Sequence, residues 1–286
     1  MFPPQVARAI GTQFLQGLSY IHSRGVVHGD LHPNNVLLKH PSLASLSVDE
    51  LYECIGKPER FATRRLDDQP PGPEAPRYGV PPASIAISAE GVTKADVIII
   101  DFGEAFKCGS ERRTDVKLRT PLLRLPPEAI FNAGVNQAAD IWTAAGTLYE
   151  ILGERALFEA FELDEDHVVA EMVSTMGSLP DRWWSSWSAR RAYFLEDGSW
   201  DVNTTRTHEP RSRLLDERLR IMGRGDGTSS SGFTPEELAA LEDLLRLMLT
   251  YEPVDRATAQ KALGSTWVTE YGLPALESLN AAPPAT

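Results

Sequence analysis

Long apolar runs are missing from this chain; the longest span only a few residues, so no membrane-spanning helix is expected. The opening residues, Met-Phe-Pro-Pro-Gln-Val, lack the basic-then-apolar layout of a signal peptide, and secretion is not expected either. Cysteine is scarce. Cys54 and Cys108 are too few for a disulfide framework or a four-ligand zinc site, which fits a reducing intracellular compartment, cytoplasm or nucleus, and both are read as incidental. Basic charge is short as well: 28 Lys and Arg against 40 Asp and Glu leave a formal net charge of -12. That balance argues against direct binding of nucleic acid and mildly for basic partners.

What is present suits a folded domain. The 286 residues, 42% hydrophobic and 24% charged, can bury one good core or two modest ones. Val6, Ile10, Phe14, Leu18 and Ile21 recur at helical spacing, so an amphipathic helix is expected from about Pro4 to Ser23, stopped by Gly25. Val26-Val27, Val36-Leu37-Leu38 and Val97-Ile98-Ile99-Ile100 read as short strands. Two more helices are expected, one from about Ala138 to Gly153 and one beginning at Pro235 behind a Thr234 cap. Three stretches read as loops: an insert from about His40 to Lys94 with Pro-rich segments, a Gly- and Ser-rich piece from Gly223 to Gly232, and a flexible tail covering the last residues, 276–286. Trp183, Trp184, Trp187, Tyr193 and Phe194 read as a local aromatic cluster, and Glu162 to Asp166 as a solvated acidic stretch.

Between the first two strands lies His28-Gly29-Asp30-Leu31-His32-Pro33-Asn34-Asn35, crowded with a carboxylate, imidazoles and amides. A loop held by strands keeps such groups fixed, and the strand ending at Asp101-Phe102-Gly103 would bring a second carboxylate beside them. Asp30, Asn35 and Asp101 together would make an oxygen-rich site suited to magnesium and phosphates. Taken singly, each is more simply a loop residue making a local turn, and His22 and His28 are assigned to packing and hydrogen bonding.

The loop resembles the HRDLKPEN segment of eukaryotic protein kinases, and Asp101-Phe102-Gly103 is the triplet that follows it in that family. Pro126-Pro127-Glu128, Ala139-Asp140-Ile141-Trp142 and Glu252-Pro253-Val254-Asp255-Arg256-Ala257-Thr258 are similar to three later kinase motifs, in the family's order. The resemblance implies a mainly α fold with a few short β-strands, like a kinase C-lobe, over residues 1–275. It also implies ATP and Mg2+ as cofactors and a protein substrate. Asp30 would then be catalytic, Asn35 and Asp101 would hold magnesium and nucleotide, and Glu128, Asp140 and Arg256 would be structural, with Glu128 paired to Arg256. The long spacer between Asn35 and Asp101 and the segment Gly177-Ser178-Leu179-Pro180 are similar to fungal SR-protein-kinase-like enzymes, which implies Arg/Ser-rich substrates.

Three departures qualify the expectation. Nothing before His28 supplies a Gly-rich phosphate loop, its lysine or its helix glutamate, so the β-rich N-lobe is taken as absent from this sequence and weak ATP binding is expected. Gly29 stands where the family has arginine, and ordinary activation by phosphorylation is not expected. His32, counted with Asp30 as catalytic, replaces a lysine. Two alternatives stay open: a non-catalytic pseudokinase module that binds protein partners, and a small-molecule phosphotransferase of the aminoglycoside or choline kinase type, whose loop has the same His-Gly-Asp-Leu-His wording.

Overall fold

The computed structural model describes residues 1–39, 45–82, 89, 92, 94–108, 116–159, 164–203, 213–224 and 232–281. In chain order the helices are α1 (Pro4–Ser23), α2 (Val48–Ile55), α3 (Pro127–Ile130), α4 (Gln137–Leu152) and α5 (Glu165–Met176). They continue with α6 (Asp181–Ser186), α7 (Leu215–Arg220), α8 (Pro235–Met248), α9 (Ala259–Leu263) and, after a π-helical turn at Trp267–Gly272, α10 (Leu273–Ala281). The strands are β1 (Val26–Val27), β2 (Val36–Leu38), β3 (Phe61–Ala62), β4 (Tyr78–Gly79), β5 (Val97–Ile99) and β6 (Phe106–Lys107). Helix dominates and every strand is short, as the sequence leads one to expect.

The core forms where apolar helical faces meet. Val6, Ile10, Phe14 and Leu18 of α1 are buried against α4, α9 and α10. Gly11 permits the close approach of α1 to α4: a Cβ there would lie 2.6 Å from Leu148 Cδ1. The expected Thr234 cap is in place, its side chain accepting from Glu237 N at the start of α8. Behind it Leu241, Leu244, Leu245 and Met248 are fully buried, each stabilising the fold by about 1.5–3 kcal/mol. A second cluster joins Trp183, Trp187, Tyr193, Phe194 and Trp200 to Val169, Val173 and Leu179, with Trp184 packed on it, so the aromatic group is local packing.

The strands make three antiparallel two-stranded ladders, β1 with β6, β2 with β5 and β3 with β4. In the β2–β5 ladder Leu37 pairs with Ile98, and both point away from the core, 44% exposed, while Val36, Leu38, Val97 and Ile99 pack inward.

Three expectations need correction. The insert is not all loop: its described part carries α2, whose start is a capping box between Ser47 and Glu50, and the β3–β4 hairpin. Residues 40–44, 83–88, 90–91 and 93 of that insert lie outside the described residues, as do 225–231 of the Gly- and Ser-rich piece. The chain stays helical to Ala281, through the first residues of the expected 276–286 tail, and 282–286 lie outside the described residues. In the acidic stretch, Asp164 caps α5 through His167 N and Asp166 accepts from Trp187 Nε1 at 2.8 Å, so both are structural; 162–163 are outside the described residues.

Candidate active site

The polar loop following β1 is held from behind by one carboxylate. Asp140, in the first turn of α4 and 1% exposed, accepts from His28 N at 2.7 Å and Gly29 N at 2.9 Å, and its Oδ2 lies 2.9 Å from His22 Nε2. Gln137 Nε2 reaches back to His22 O at 2.7 Å. These bonds fix the loop backbone before any side chain is considered. At φ 81° Gly29 adopts a left-handed conformation, and a Cβ there would come within 2.8 Å of Glu104 O, so glycine answers a steric need at this position. Thr120, buried, donates its hydroxyl to Gly29 O at 3.0 Å and ties the segment before α3 to the same loop.

His28 is structural, as expected. Its Nε2 donates to Ile100 O at 2.9 Å and its Nδ1 accepts from Asp30 N at 3.3 Å, so each ring nitrogen has a fixed role. The Phe102 ring packs against it with centroids 4.8 Å apart. Ile100 N donates to Asn35 O at 3.0 Å, which continues the β2–β5 ladder and places Asp101 beside the loop. Asp101 itself is left-handed, φ 64°, a strained backbone of the kind found at functional sites.

The loop side chains converge. Asn35 Nδ2 donates to Asp30 O at 2.9 Å, which fixes the orientation of the carboxamide, and contacts His32 Nε2 at 3.2 Å. His32 Nε2 therefore accepts from Asn35, and it lies 3.7 Å from Asp30 Oδ2. With Nδ2 engaged, Asn35 Oδ1 takes no hydrogen bond among the described residues, nor does the exposed carboxylate of Asp101. Asp30 Oδ1 is buried and likewise without a partner. No group of three or more His, Cys, Asp or Glu side chains among the described residues could hold a metal ion. A site built from one carboxylate and one amide oxygen suits magnesium, which retains waters and shares phosphate ligands.

The residues expected to be structural meet as expected. Arg256 Nη1 and Nη2 donate to the two oxygens of Glu128 at 2.7 and 2.8 Å, both side chains essentially buried, and the guanidinium lies over the Trp142 ring. Toward the far end of α4 Arg124 holds both oxygens of Glu150 at 2.7 and 2.8 Å, while burial pushes the Glu150 carboxyl up from the ordinary carboxylate range. Gln137 and Thr120 were not singled out as site residues; a helix-start glutamine and a loop threonine carry no signal until the fold brings them to the loop.

Comparison with known proteins agrees with this geometry. Residues 82–268, well over half of the chain, match the protein kinase domain, a span that includes Asp101, Glu128, Asp140 and Arg256. The chain is 27% identical to the serine/threonine-protein kinase SRPK of Physarum polycephalum, over 94% of its own length and 62% of the relative's. It is 26% identical to the dual specificity protein kinase lkh1 of Schizosaccharomyces pombe, over 94% of its length and 33% of the relative's. With the dual specificity protein kinase CLK2 of Homo sapiens it shares 24% identity, over 92% and 43% respectively. It thus spans between a third and under two thirds of these curated relatives. No helix among the described residues is long and apolar enough to cross a membrane. The chain belongs to the protein kinase domain family and is most like its SR-protein-kinase-like members.

Proposed function

We propose that this chain carries the phosphoryl-transfer centre of a serine/threonine protein kinase that acts on Arg/Ser-rich proteins. The observation that carries the reading is Asp30 Oδ1, a buried carboxylate oxygen with no hydrogen-bond donor among the described residues. Such an oxygen is costly unless something completes it, and a substrate hydroxyl is the donor that would. Asp30 then orients that hydroxyl and accepts its proton as the oxygen attacks phosphorus. Asn35 Oδ1 and the Asp101 carboxylate would hold Mg2+, which would neutralise charge on the ATP phosphates while the terminal phosphoryl group passes to the hydroxyl oxygen and ADP leaves. His32 keeps the Asn35 carboxamide turned so that its oxygen stays free for that ion. Leu37 and Ile98, exposed and apolar on the outer face of the ladder, offer a flat surface for the adenine ring. The acidic surplus of the chain is compatible with basic substrates.

The test is phosphate transfer from Mg-ATP by the full-length protein to basic Ser-rich peptides, with an aminoglycoside and choline as competing acceptors. Peptide labelling that disappears in Asp30→Asn supports the proposal. Phosphorylation of the small molecules alone, or full activity of the variant, would overturn it. A second reading, a non-catalytic module, is favoured by one observation: Leu37, Ile98 and the 47%-exposed Phe102 make an apolar face that a protein could cover. Calorimetry separates the two, since Mg-ATP binding abolished by Asp101→Ala excludes a centre unable to bind nucleotide.

A further inference from the structure

Behind the catalytic loop an open groove of about 530 Å³ lies between the end of α1, the start of α4 and the segment leading into α9. That size is within the rough 300–1,000 Å³ range of small-molecule sites. Its lining contains no Asp, Glu or Lys. The one guanidinium in it, Arg256, has all its N–H groups engaged: Nε with Thr250 O, Nη1 with Glu128 and Ala138 O, Nη2 with Glu128 and Tyr251 O. An anion would find only neutral donors there and a cation no carboxylate, so a charged ligand would be desolvated without a counter-charge. Uncharged groups, by contrast, are well served. Ile141 gives an apolar wall, while Asn136 Nδ2 and Gln260 Nε2 donate no hydrogen bond among the described residues and remain available.

We propose that this groove is a regulatory site for an uncharged small molecule with an apolar body and hydrogen-bonding ends. Two of its walls communicate directly with the catalytic loop. His22 lines it and contacts Asp140 Oδ2 at 2.9 Å, the carboxylate that fixes His28 N and Gly29 N. Gln137 lines it too and holds His22 O. An occupant that moves either side chain is therefore felt at the backbone that carries Asp30. The regulatory half of this proposal rests on the kinase reading above; the binding half does not.

The experiment titrates the full chain with three probes that share one ring: N-(2-naphthylmethyl)acetamide, 2-naphthylacetate and 2-naphthylmethylammonium. Binding is read by NMR at the Ile141 methyl in the groove and at the Gly29 amide in the loop. The neutral probe is expected to shift both signals, with a Kd at least tenfold below that of either charged probe. Ser19→Trp, which fills the groove from α1, should abolish both shifts; if that variant fails to fold, Gln260→Trp at the exposed rim serves instead. No Ile141 shift with any probe, or equal shifts with all three, overturns the site. A shift at Ile141 that leaves Gly29 unmoved overturns the coupling. None of these readouts depends on ATP, so failure here is distinguishable from failure of the kinase reading.

Discussion

Two sets of charged and polar groups, one behind the loop that carries Asp30 and one in front of it, are finished to different degrees. Behind it, Asp140 accepts two backbone N–H groups and contacts His22, while Arg256 spends every donor on Glu128 and three backbone carbonyls. In front of it, Asp30 Oδ1, Asn35 Oδ1 and the Asp101 carboxylate have no partner among the described residues. Buried polar groups are normally hydrogen-bonded; the first set follows that rule, while in the second the buried Asp30 Oδ1 departs from it and the Asp101 carboxylate stands open to solvent. In a loop crowded with polar side chains, such a departure is a place where a ligand can complete the bonding. The same residue types thus divide into framework and proposed site by what they leave open.

The sharpest way to break this comparison is to exchange oxygen for nitrogen on each side. Asp30→Asn should lower phosphoryl transfer by about 10²–10⁴-fold and leave the thermal midpoint within a few degrees, because the lost oxygen has no donor to strand. A variant that melts much earlier would show Asp30 to be framework. Glu128→Gln should do the reverse, costing about 3–5 kcal/mol in urea unfolding, because the Arg256 charge is left buried and unmatched. Replacing both partners, Glu128→Leu with Arg256→Met, should cost less than the sum of the two single changes; additive losses would mean that the pair is not coupled.

Much of this was legible before any coordinates. α1 runs from Pro4 to Ser23 because Val6, Ile10, Phe14 and Leu18 set its face and Gly25 ends it. β2 and β5 follow from β-branched and leucine runs, and α8 from its Thr234-Pro235 start. Asp30, Asn35 and Asp101 could be named because motif order supplied what single residues do not. Other parts were hidden for physical reasons. Within the insert, proline density masked the Ser47-x-x-Glu50 cap that was present in the sequence and starts α2. β6 is two residues long and exists through its pairing with β1, a long-range contact with no local signature. Thr120 and Gln137 acquire roles through partners about a hundred residues away, which no periodicity reports.

Smaller effects sharpen the framework side. Asp140→Asn leaves an amide where three donors converge, and it should cost about 1.5–3 kcal/mol, with the His28 and Gly29 amide protons exchanging faster. Unchanged exchange at those two amides would remove Asp140 from its place in the framework. Next comes alkaline pH. Burial pushes the Tyr149 phenol up to about 12 from an ordinary value of 10.0, and Tyr251 moves in the same direction. Below pH 10 both folded and unfolded chains keep these protons and stability is level. Between about pH 10 and 12 the unfolded chain releases protons that the folded chain retains, so stability should fall as pH rises, by roughly 1–2 kcal/mol for Tyr149. Tyr149→Phe should flatten that limb in part, with urea midpoints at pH 9.5 and 11.5 as the measure; an identical slope would mean that the phenol does not contribute.

The smallest effect tests the insert, which neither set of polar groups touches. α2 has no buried residue, and every residue of β3 and β4 is exposed. None of these elements contributes to the three apolar clusters. Deleting residues 45–82 therefore removes almost no buried apolar area, which is the term that would make the deletion costly. It also shortens the connection between Leu38 and Val97 roughly threefold, and the loop-closure entropy recovered is about 1 kcal/mol, given about 0.6 kcal/mol for each doubling of length. The net expectation is a protein as stable as the parent or up to about 1 kcal/mol more so, with the β2–β5 ladder and the position of Asp101 kept. Urea unfolding measures the first and Mg-ATP calorimetry the second. A loss of more than 2 kcal/mol would show that the insert packs on the body as framework does, and the division between finished and open groups would then have to include it.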